Sequence, residues 1–433
     1  MAELRRRLGS LDLALIVMAC VIGTGIFLTP SQVASNVASP WTAIALWAIG
    51  GLLTTCAALA VAELATSMPQ AGGPYVFLKA TFGDFVGFQY GWTQFIVVGP
   101  AIAAALALGA AMHAASFCSL SGGEQQLVAA ACIVVFASLN ALSFAGARWV
   151  QNVATIAKVG VLVAVAGLVL AGDATRAFVP AADLDRGSVP QLGAALLAIL
   201  WTFEGWSYAT FVAGEARRPE QSLPLGLSLG MLAVSLTYCA INVAYHVALP
   251  VDQIAASPRV PEAALEASGY EAAHWISVVV IVGIAGALSA LFMTSSRGAF
   301  AMAVDRFLPA RFVRLGPGAT PRAAIALQAI IALGFLASES FYTLLAATVA
   351  VNWLFHAASG LSVLVLRRTR PQLDRPFRSP FYPLCPLITI ATAGAVLVVA
   401  VTSAPRDSAL ALALVAAGTP FYLRRRRVRD DAA

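Results

Sequence analysis

Long apolar runs, separated by short polar or basic segments, dominate the sequence. A helix that crosses a bilayer needs about 20 predominantly apolar residues, and twelve runs of roughly that length occur. The runs are 12–34, 41–67, 85–115, 125–146, 147–171, 190–214, 222–250, 274–302, 321–338, 341–366, 381–402 and 407–423. Lipid admits only elements whose backbone groups are paired internally, so the pattern predicts an all-α membrane protein with twelve transmembrane helices.

Composition agrees with this pattern. The 433 residues are 60% hydrophobic and 11% charged, with a mean hydropathy of +0.82, which excludes an ordinary soluble domain. The sequence contains no P-loop, HExxH or GxGxxG motif, so it gives no support to an ATP-driven or zinc-dependent mechanism. We therefore expect neither an enzyme nor a cofactor.

Basic residues predict the orientation. Twenty-two of the 27 Lys and Arg residues fall on one side of the predicted membrane, four fall on the other, and Lys158 lies inside a span. Under the positive-inside rule both termini, residues 1–11 and the basic tail 424–433, are cytoplasmic. This asymmetry explains the net charge of +6 without a nucleic acid partner, and the Arg424–Arg427 run is expected to meet anionic lipid head groups. No cleavable signal peptide is evident, and we expect a bacterial-type inner membrane.

Two spans contain glycine-rich interruptions, VIGTGIF at Val21–Phe27 and LWTFEGWSY at Leu200–Tyr208. Glycine costs about 1 kcal/mol relative to alanine inside a helix, and non-helical backbone at membrane depth is tolerated only where it is buried or lines a cavity. Broken helices of this kind form substrate sites in secondary transporters. The alternative is a face of small residues for close helix packing.

The direction of the first span predicts what its interruption binds. The outer half-helix would begin with free amides at Thr24, Gly25 and Ile26, which favour a carboxylate. The inner half-helix would end with free carbonyls at Val21 and Ile22, which accept from an ammonium.

The second interruption would add further carbonyls near Trp201–Phe203, facing the first. Ser207 is a polar side chain of the same stretch, and we include it with Phe203 among the substrate-binding residues. Glu204 is a charge within the sixth span. It could hold a substrate ammonium, carry a coupling proton or pair with Lys158.

Lys158 is another charge near the middle of a span. It lies ten residues from Arg148, roughly 15 Å deep by helical rise, near the centre of a ~30 Å hydrocarbon layer. A central charge costs at least ~2.5–3.5 kcal/mol, so a packing role is a poor explanation. Lys158 could load and release a proton.

Four motifs carry a family resemblance: GTGIF at 23–27, AEL followed by PQAGGPY at 62–75, GEARRPEQSLP at 214–224 and RPFRSP at 375–380. In this order and spacing the sequence resembles the amino acid-polyamine-organocation superfamily, and bacterial L-type permeases most. The resemblance implies a five-plus-five inverted-repeat core, the LeuT-like fold, with helices 1 and 6 broken. Its repeats would be 12–171 and 190–366, followed by 381–423.

The resemblance also implies roles for single residues. Lys158 matches a lysine that replaces a sodium ion in sodium-independent members, tying span one to span eight, where Ser289 is the candidate partner. Trp201 matches an aromatic outer gate. The expected function is sodium-independent transport of an amino acid by alternating access, by exchange or with protons. L-type relatives tend to have a small residue at the place of Glu204 and some bacterial relatives have an acid, so the substrate charge stays open.

Three charged residues near the predicted cytoplasmic face, Glu63, Glu215 and Arg297, are candidates for an inner gate of ion pairs. Ordinary interfacial charge is the alternative. Spans eleven and twelve contain almost no polar residues and are interpreted as scaffold or as the surface of a homodimer. Animal L-type exchangers attach a second subunit through a loop cysteine, and Cys118 lies in the corresponding loop, but this residue alone identifies no partner subunit.

Other functions remain open at this point. The substrate could be a polyamine or another organic cation. A membrane-embedded lipid-modifying enzyme would need clustered acids, and Asp183 and Asp185 form the only close aspartate pair before the C-terminus. A channel would need rings of repeated polar residues, which the sequence lacks.

Overall fold

The computed structural model describes residues 4–115, 117–172, 178–182, 185–270, 273–338, 341–403 and 405–430; Asp183 lies outside them. The helices are α1 (Ser10–Val21), α2 (Gly25–Asn36), α3 (Pro40–Ser67), α4 (Pro74–Phe82), α5 (Asp84–Trp92), α6 (Gly99–Ala114), α7 (Gly122–Leu142), α8 (Phe144–Ala171), α9 (Val189–Thr202), α10 (Tyr208–Phe211), α11 (Pro219–Ala248), α12 (Val251–Ala256), α13 (Val260–Ala267), α14 (Ala273–Val304), α15 (Arg322–Leu336), α16 (Phe341–Thr369), α17 (Leu384–Ser403), α18 (Pro405–Ala416) and α19 (Thr419–Asp430). A π-helix, Thr93–Val98, joins α5 to α6. Within these ranges the only β contact is a bridge between Leu8 and Ala216.

The apolar pattern is confirmed as a set of membrane-length helices. Seven described helices are long and apolar enough to cross a membrane, and α1 with α2 forms an eighth, bent candidate. Shorter apolar helices, α9 and α15, occupy two more predicted spans. These helices make the chain a multi-pass membrane protein. The number of twelve transmembrane helices stays a prediction.

The last predicted span, 407–423, is not one helix. It is divided between α18 and α19 by residues 417–418. The aromatic residues at the start of α19 pack on α5: the rings of Phe421 and Trp92 stack at 4.6 Å, and Tyr422 meets Phe85 edge-on at 5.2 Å. This packing redirects the chain, and α19 then carries the basic run.

Helix α1 packs closely against three other helices. It packs against α8, α11 and α14, and Leu13, Ile16 and Val17 are fully buried. Two glycines of α11 permit this close approach, since a Cβ at Gly226 or Gly230 would lie 2.6 Å from the Cβ of Leu13 or Val17. The neighbours therefore fix α1 in place.

Candidate functional site

Both predicted helix interruptions are present. Helix α1 ends at Val21 and α2 begins at Gly25, with a bend of 52° between them. Helix α9 ends at Thr202, and α10 begins only at Tyr208. Two short non-helical segments, 22–24 and 203–207, therefore lie within helices of apolar sequence.

The two interruptions contact each other. Gly205 has φ +115°, and a Cβ there would lie 2.5 Å from the carbonyl oxygen of Cys20, so only glycine fits. The hydroxyl of Tyr238 on α11 lies between the segments, within donating distance of the carbonyls of Val21 (3.2 Å) and Thr202 (3.3 Å). The sequence did not reveal Tyr238, because an aromatic residue in an apolar span looks like a packing residue.

A cavity of about 310 Å³ lies between the interruptions. Of the predicted substrate-binding residues, five line it: Val21, Thr24, Gly25, Trp201 and Glu204. The sequence analysis missed several other lining residues, among them Cys20, Thr202 and Tyr208, and Asn352 also lines the cavity. Cys20 and Asn352 come from α1 and α16, so the wall combines distant parts of the chain.

Four predicted residues do not line this cavity: Ile22, Ile26, Phe203 and Ser207. The side chain of Phe203 is fully buried and meets the rings of Trp47 and Tyr238 at 6.2 and 4.9 Å, behind the cavity wall. Because a non-helical segment has no fixed periodicity, the sequence could not tell which of its side chains point inward.

The carbonyls predicted to accept from an ammonium are already engaged. Val21 accepts from the amide of Gly23 at 2.9 Å and lies within reach of Tyr238. Ile22 accepts from the ammonium of Lys158. The end of α1 is therefore held by the protein's own donors.

Lys158 reaches the first interruption from α8. Its side chain is 2% exposed, and Nζ donates to the carbonyls of Ile22 and, at 3.4 Å, Ala19. A cation here meets the carbonyls that a helix leaves unpaired at its C-terminal end.

The predicted pairing of Lys158 with Ser289 is wrong. The hydroxyl of Ser289 donates to the carbonyl of Ala147 at 3.0 Å and accepts from Asn140 at 3.2 Å. The side chain of Lys158 instead packs against Gly283 of α14. A Cβ at Gly283 would lie 2.7 Å from the Cδ of Lys158. Gly283 precedes Ser289 by six residues, or about 9 Å along the helix, so the assumed register was incorrect.

Glu204 pairs with His356 of α16 rather than with Lys158. The Nε2 of His356 lies 2.9 Å from Oε1 of Glu204. The alternative in which the two buried charges of the sequence neutralise each other is therefore wrong. A histidine 152 positions away could not be assigned from sequence.

At one end the cavity reaches exposed residues. Its lining extends to Pro258 and Arg259 beside α13 and to Glu262 within it, and Pro258 and Arg259 are exposed. Burial raises the pKa of the Glu262 carboxyl above its ordinary value, and the nearby Arg259 opposes this shift. We call this the α13 end.

At the opposite end, where α1 begins, the structure contains a buried ion pair. Arg297 Nε donates to Glu215 Oε1 at 2.8 Å, and the two side chains are 1% and 0% exposed. The backbone carbonyl of Glu215 accepts from the amides of Arg7 and Leu8 at 2.7 and 2.9 Å. The N-terminal segment thus covers the pair, and we call this the N-terminal end.

Glu63 does not belong to that pair. Its carboxylate accepts from Arg367 at 2.8 and 2.6 Å and from the amide of Ser379 at 2.7 Å, while Arg375 lies at 3.6 Å. The three residues predicted as one gate therefore form two separate clusters, and the Glu63 cluster joins α3 to α16 and the following loop.

An all-helical membrane protein that encloses a cavity between two interrupted helices has the architecture of a secondary transporter. The family model described as amino acid permease matches residues 8–417, so the chain belongs to the amino acid permease family. Proteins of this family are transporters and not enzymes.

Three similar proteins span nearly the whole chain. The serine/threonine exchanger SteT of Bacillus subtilis (strain 168) is 28% identical over 97% of this chain and 96% of its own length. The b(0,+)-type amino acid transporter 1 of Mus musculus is 27% identical over 97% and 88%. The large neutral amino acids transporter small subunit 2 of Homo sapiens is 27% identical over 97% and 80%.

Proposed function

We propose that the chain carries an α-amino acid across the membrane by alternating access, through exchange and without sodium. The observation that carries this proposal is the cavity between the two interruptions, which reaches exposed residues at the α13 end. The buried pair of Glu215 and Arg297 would close the N-terminal end. A transporter needs such a cavity, together with a second state in which the closure is reversed. Trp201, in the cavity wall, would gate the α13 end.

The substrate carboxylate would rest on the first amides of α2, at Thr24, Gly25 and Ile26. These amides have no partners within their own helix, and the helix dipole favours an anion there. The ammonium would face the ends of α1 and α9, where the dipoles are negative. A volume of about 310 Å³ is at the small end of the range for ligand sites, which suits a single amino acid.

Lys158 would replace a sodium ion. Its ammonium occupies the carbonyls at the end of α1, where a bound cation would otherwise be needed to join α1 to α8 and α14. The same buried amine is also able to carry a proton, so proton symport is the second candidate.

The proposed architecture has twelve spans, a five-plus-five inverted repeat and cytoplasmic termini in a bacterial inner membrane. Helices at each predicted span support it, as do the positions of the interruptions in the first span of each proposed repeat. The distribution of basic residues favours a cytoplasmic location for the N-terminal end. The name of SteT, a serine/threonine exchanger, favours exchange and a small polar substrate for this chain.

Uptake of a panel of radiolabelled amino acids into proteoliposomes tests the proposal. We expect uptake that requires internal amino acid and is equal in sodium and choline buffers. Lys158→Met, which keeps the length of the side chain without its charge, should reduce uptake by at least about tenfold, because two buried carbonyls lose a charged donor.

The outcomes separate the alternatives. Uptake into empty vesicles driven by an inward proton gradient, lost in Lys158→Met, would mean proton symport instead of exchange. A sodium requirement would refute the role of Lys158. If polyamines enter and no amino acid does, the substrate class is wrong.

A further inference from the structure

Glu204 contributes a carboxylate to the cavity wall that is only half engaged. Oε1 is bonded to His356 at 2.9 Å, whereas Oε2 is buried and has no hydrogen-bond partner among the residues that the structure describes. The two side chains are only 13% and 7% exposed. A buried acceptor without a donor is costly, so this oxygen is suited to a donor on the transported molecule.

The imidazole behind Glu204 is rigidly held. Its ring stacks on Trp206 at 4.9 Å and meets Trp353 edge-on at 5.4 Å, and both indoles are at most 1% exposed. This packing fixes Nε2 toward Glu204. A neutral imidazole donates from Nε2 in one tautomer and an imidazolium donates from both nitrogens, so the same geometry accommodates either charge.

The other titratable groups around the pair come from four helices. The phenols of Tyr90 on α5 and Tyr208 on α10 interact electrostatically with Glu204, and the thiol of Cys20 on α1 interacts with Tyr208. An unpaired buried anion is costly, so these two phenols and the thiol stay in their neutral forms. Lys158 from α8 is occupied by the carbonyls of Ile22 and Ala19.

We propose that His356 is a positioning residue that sets the charge of the substrate site through Glu204, and so decides between cationic and zwitterionic amino acids. This inference rests on the proposed function. With a neutral imidazole the pair carries one negative charge, and with an imidazolium it carries none.

Desolvation decides which substrate each charge state of the pair favours. An uncompensated charge is unfavourable in a site with little water, so the negative pair favours a substrate with one excess positive charge. The neutral pair favours a zwitterion. Because the imidazole loses its proton as pH rises, preference for the cationic substrate rises with pH.

Arginine and citrulline provide a matched pair of probes, since citrulline replaces the guanidinium by a neutral ureido group of similar size. Each would compete against a labelled amino acid that the uptake panel identifies, between pH 5.5 and 8. In the wild type the ratio of the inhibition constant of citrulline to that of arginine should rise at least about tenfold, the effect of one nearby charge in a partly buried site.

Variants separate the two members of the pair. Gln at position 356 (His356→Gln) still donates an N–H to Glu204 and cannot take up a proton, so arginine should be preferred at every pH. Glu204→Gln should keep the ratio below one at every pH, because the pair then carries no negative charge to compensate a cationic substrate. His246→Gln, at a buried histidine of α11 outside the cavity wall, is the control and should retain the pH dependence.

A ratio that does not change with pH in the wild type would overturn the proposal, even if every variant failed to fold. Retention of the pH dependence in His356→Gln would also overturn it and would assign the proton to another group such as Lys158. Absence of uptake for every amino acid would instead refute the proposed function.

Discussion

Removing the carboxylate of Glu215 tests how the N-terminal end is closed. Arg297 Nε lies 2.8 Å from Glu215 Oε1, and both side chains are at most 1% exposed. Glu215→Gln leaves a buried guanidinium without its counter-charge, which costs about 3–5 kcal/mol. The cost applies only while this end is closed, so the equilibrium should shift toward the state open at the N-terminal end by about a hundredfold to several thousandfold.

Cys20 reports the shift, because it lines the cavity and is partly exposed. In a protein whose other cysteines are replaced, a membrane-impermeant maleimide added from the α13 side should label Cys20 in the wild type. In Glu215→Gln, labelling should come from the opposite side. Glu215→Gln combined with Arg297→Gln should label like the wild type, because neither charge is then left buried without a partner.

Glu63→Gln is the control. It breaks an ion pair between the buried Glu63, near the end of α3, and the partly exposed Arg367, within a cluster separate from Glu215 and Arg297. It should lower the melting temperature without changing the side from which Cys20 is labelled. Two results would refute the idea that this pair holds the N-terminal end closed. One is labelling of Glu215→Gln from the same side as the wild type, and the other is a double variant whose labelling differs from the wild type by the sum of the two single effects.

Two further substitutions test the contact between the interruptions. Gly205→Ala should abolish uptake, because the left-handed backbone costs about 1–2 kcal/mol and the new Cβ would lie 2.5 Å from the carbonyl oxygen of Cys20. The control is Gly193→Ala on α9, which has open space around it and should retain uptake. Tyr238→Phe removes a donor from two buried carbonyls, a loss of about 1–3 kcal/mol, and should lower both the melting temperature and uptake. An unchanged melting temperature would contradict the bridging role of Tyr238.

Local features of the sequence predicted the positions of the helices well. The run 41–67 corresponds to α3 at Pro40–Ser67, and 147–171 to α8 at Phe144–Ala171. The glycines of VIGTGIF marked the interruption between Val21 and Gly25. These predictions depend on hydropathy and backbone propensity, which each segment expresses largely by itself.

The contact partners of the buried charges could not be predicted from local sequence in the same way. The sequence identified Lys158, Glu204 and Glu63 as unusual charges and implied that Lys158 contacts span one. It did not identify their neighbours Gly283, His356 and Arg367. Each of these contacts joins residues more than 100 positions apart, so helix register and rotation decide them, and a shift of one turn, about 5.4 Å, changes every neighbour.

The sequence by itself therefore determined three properties: that this is a membrane protein built of helices, where two of those helices break, and which charges lie at membrane depth. These properties follow from the solvation and backbone preferences of consecutive residues. The tertiary structure alone decided which side chains line the cavity and which groups satisfy the buried charges. Those choices depend on how helices distant in sequence pack against one another.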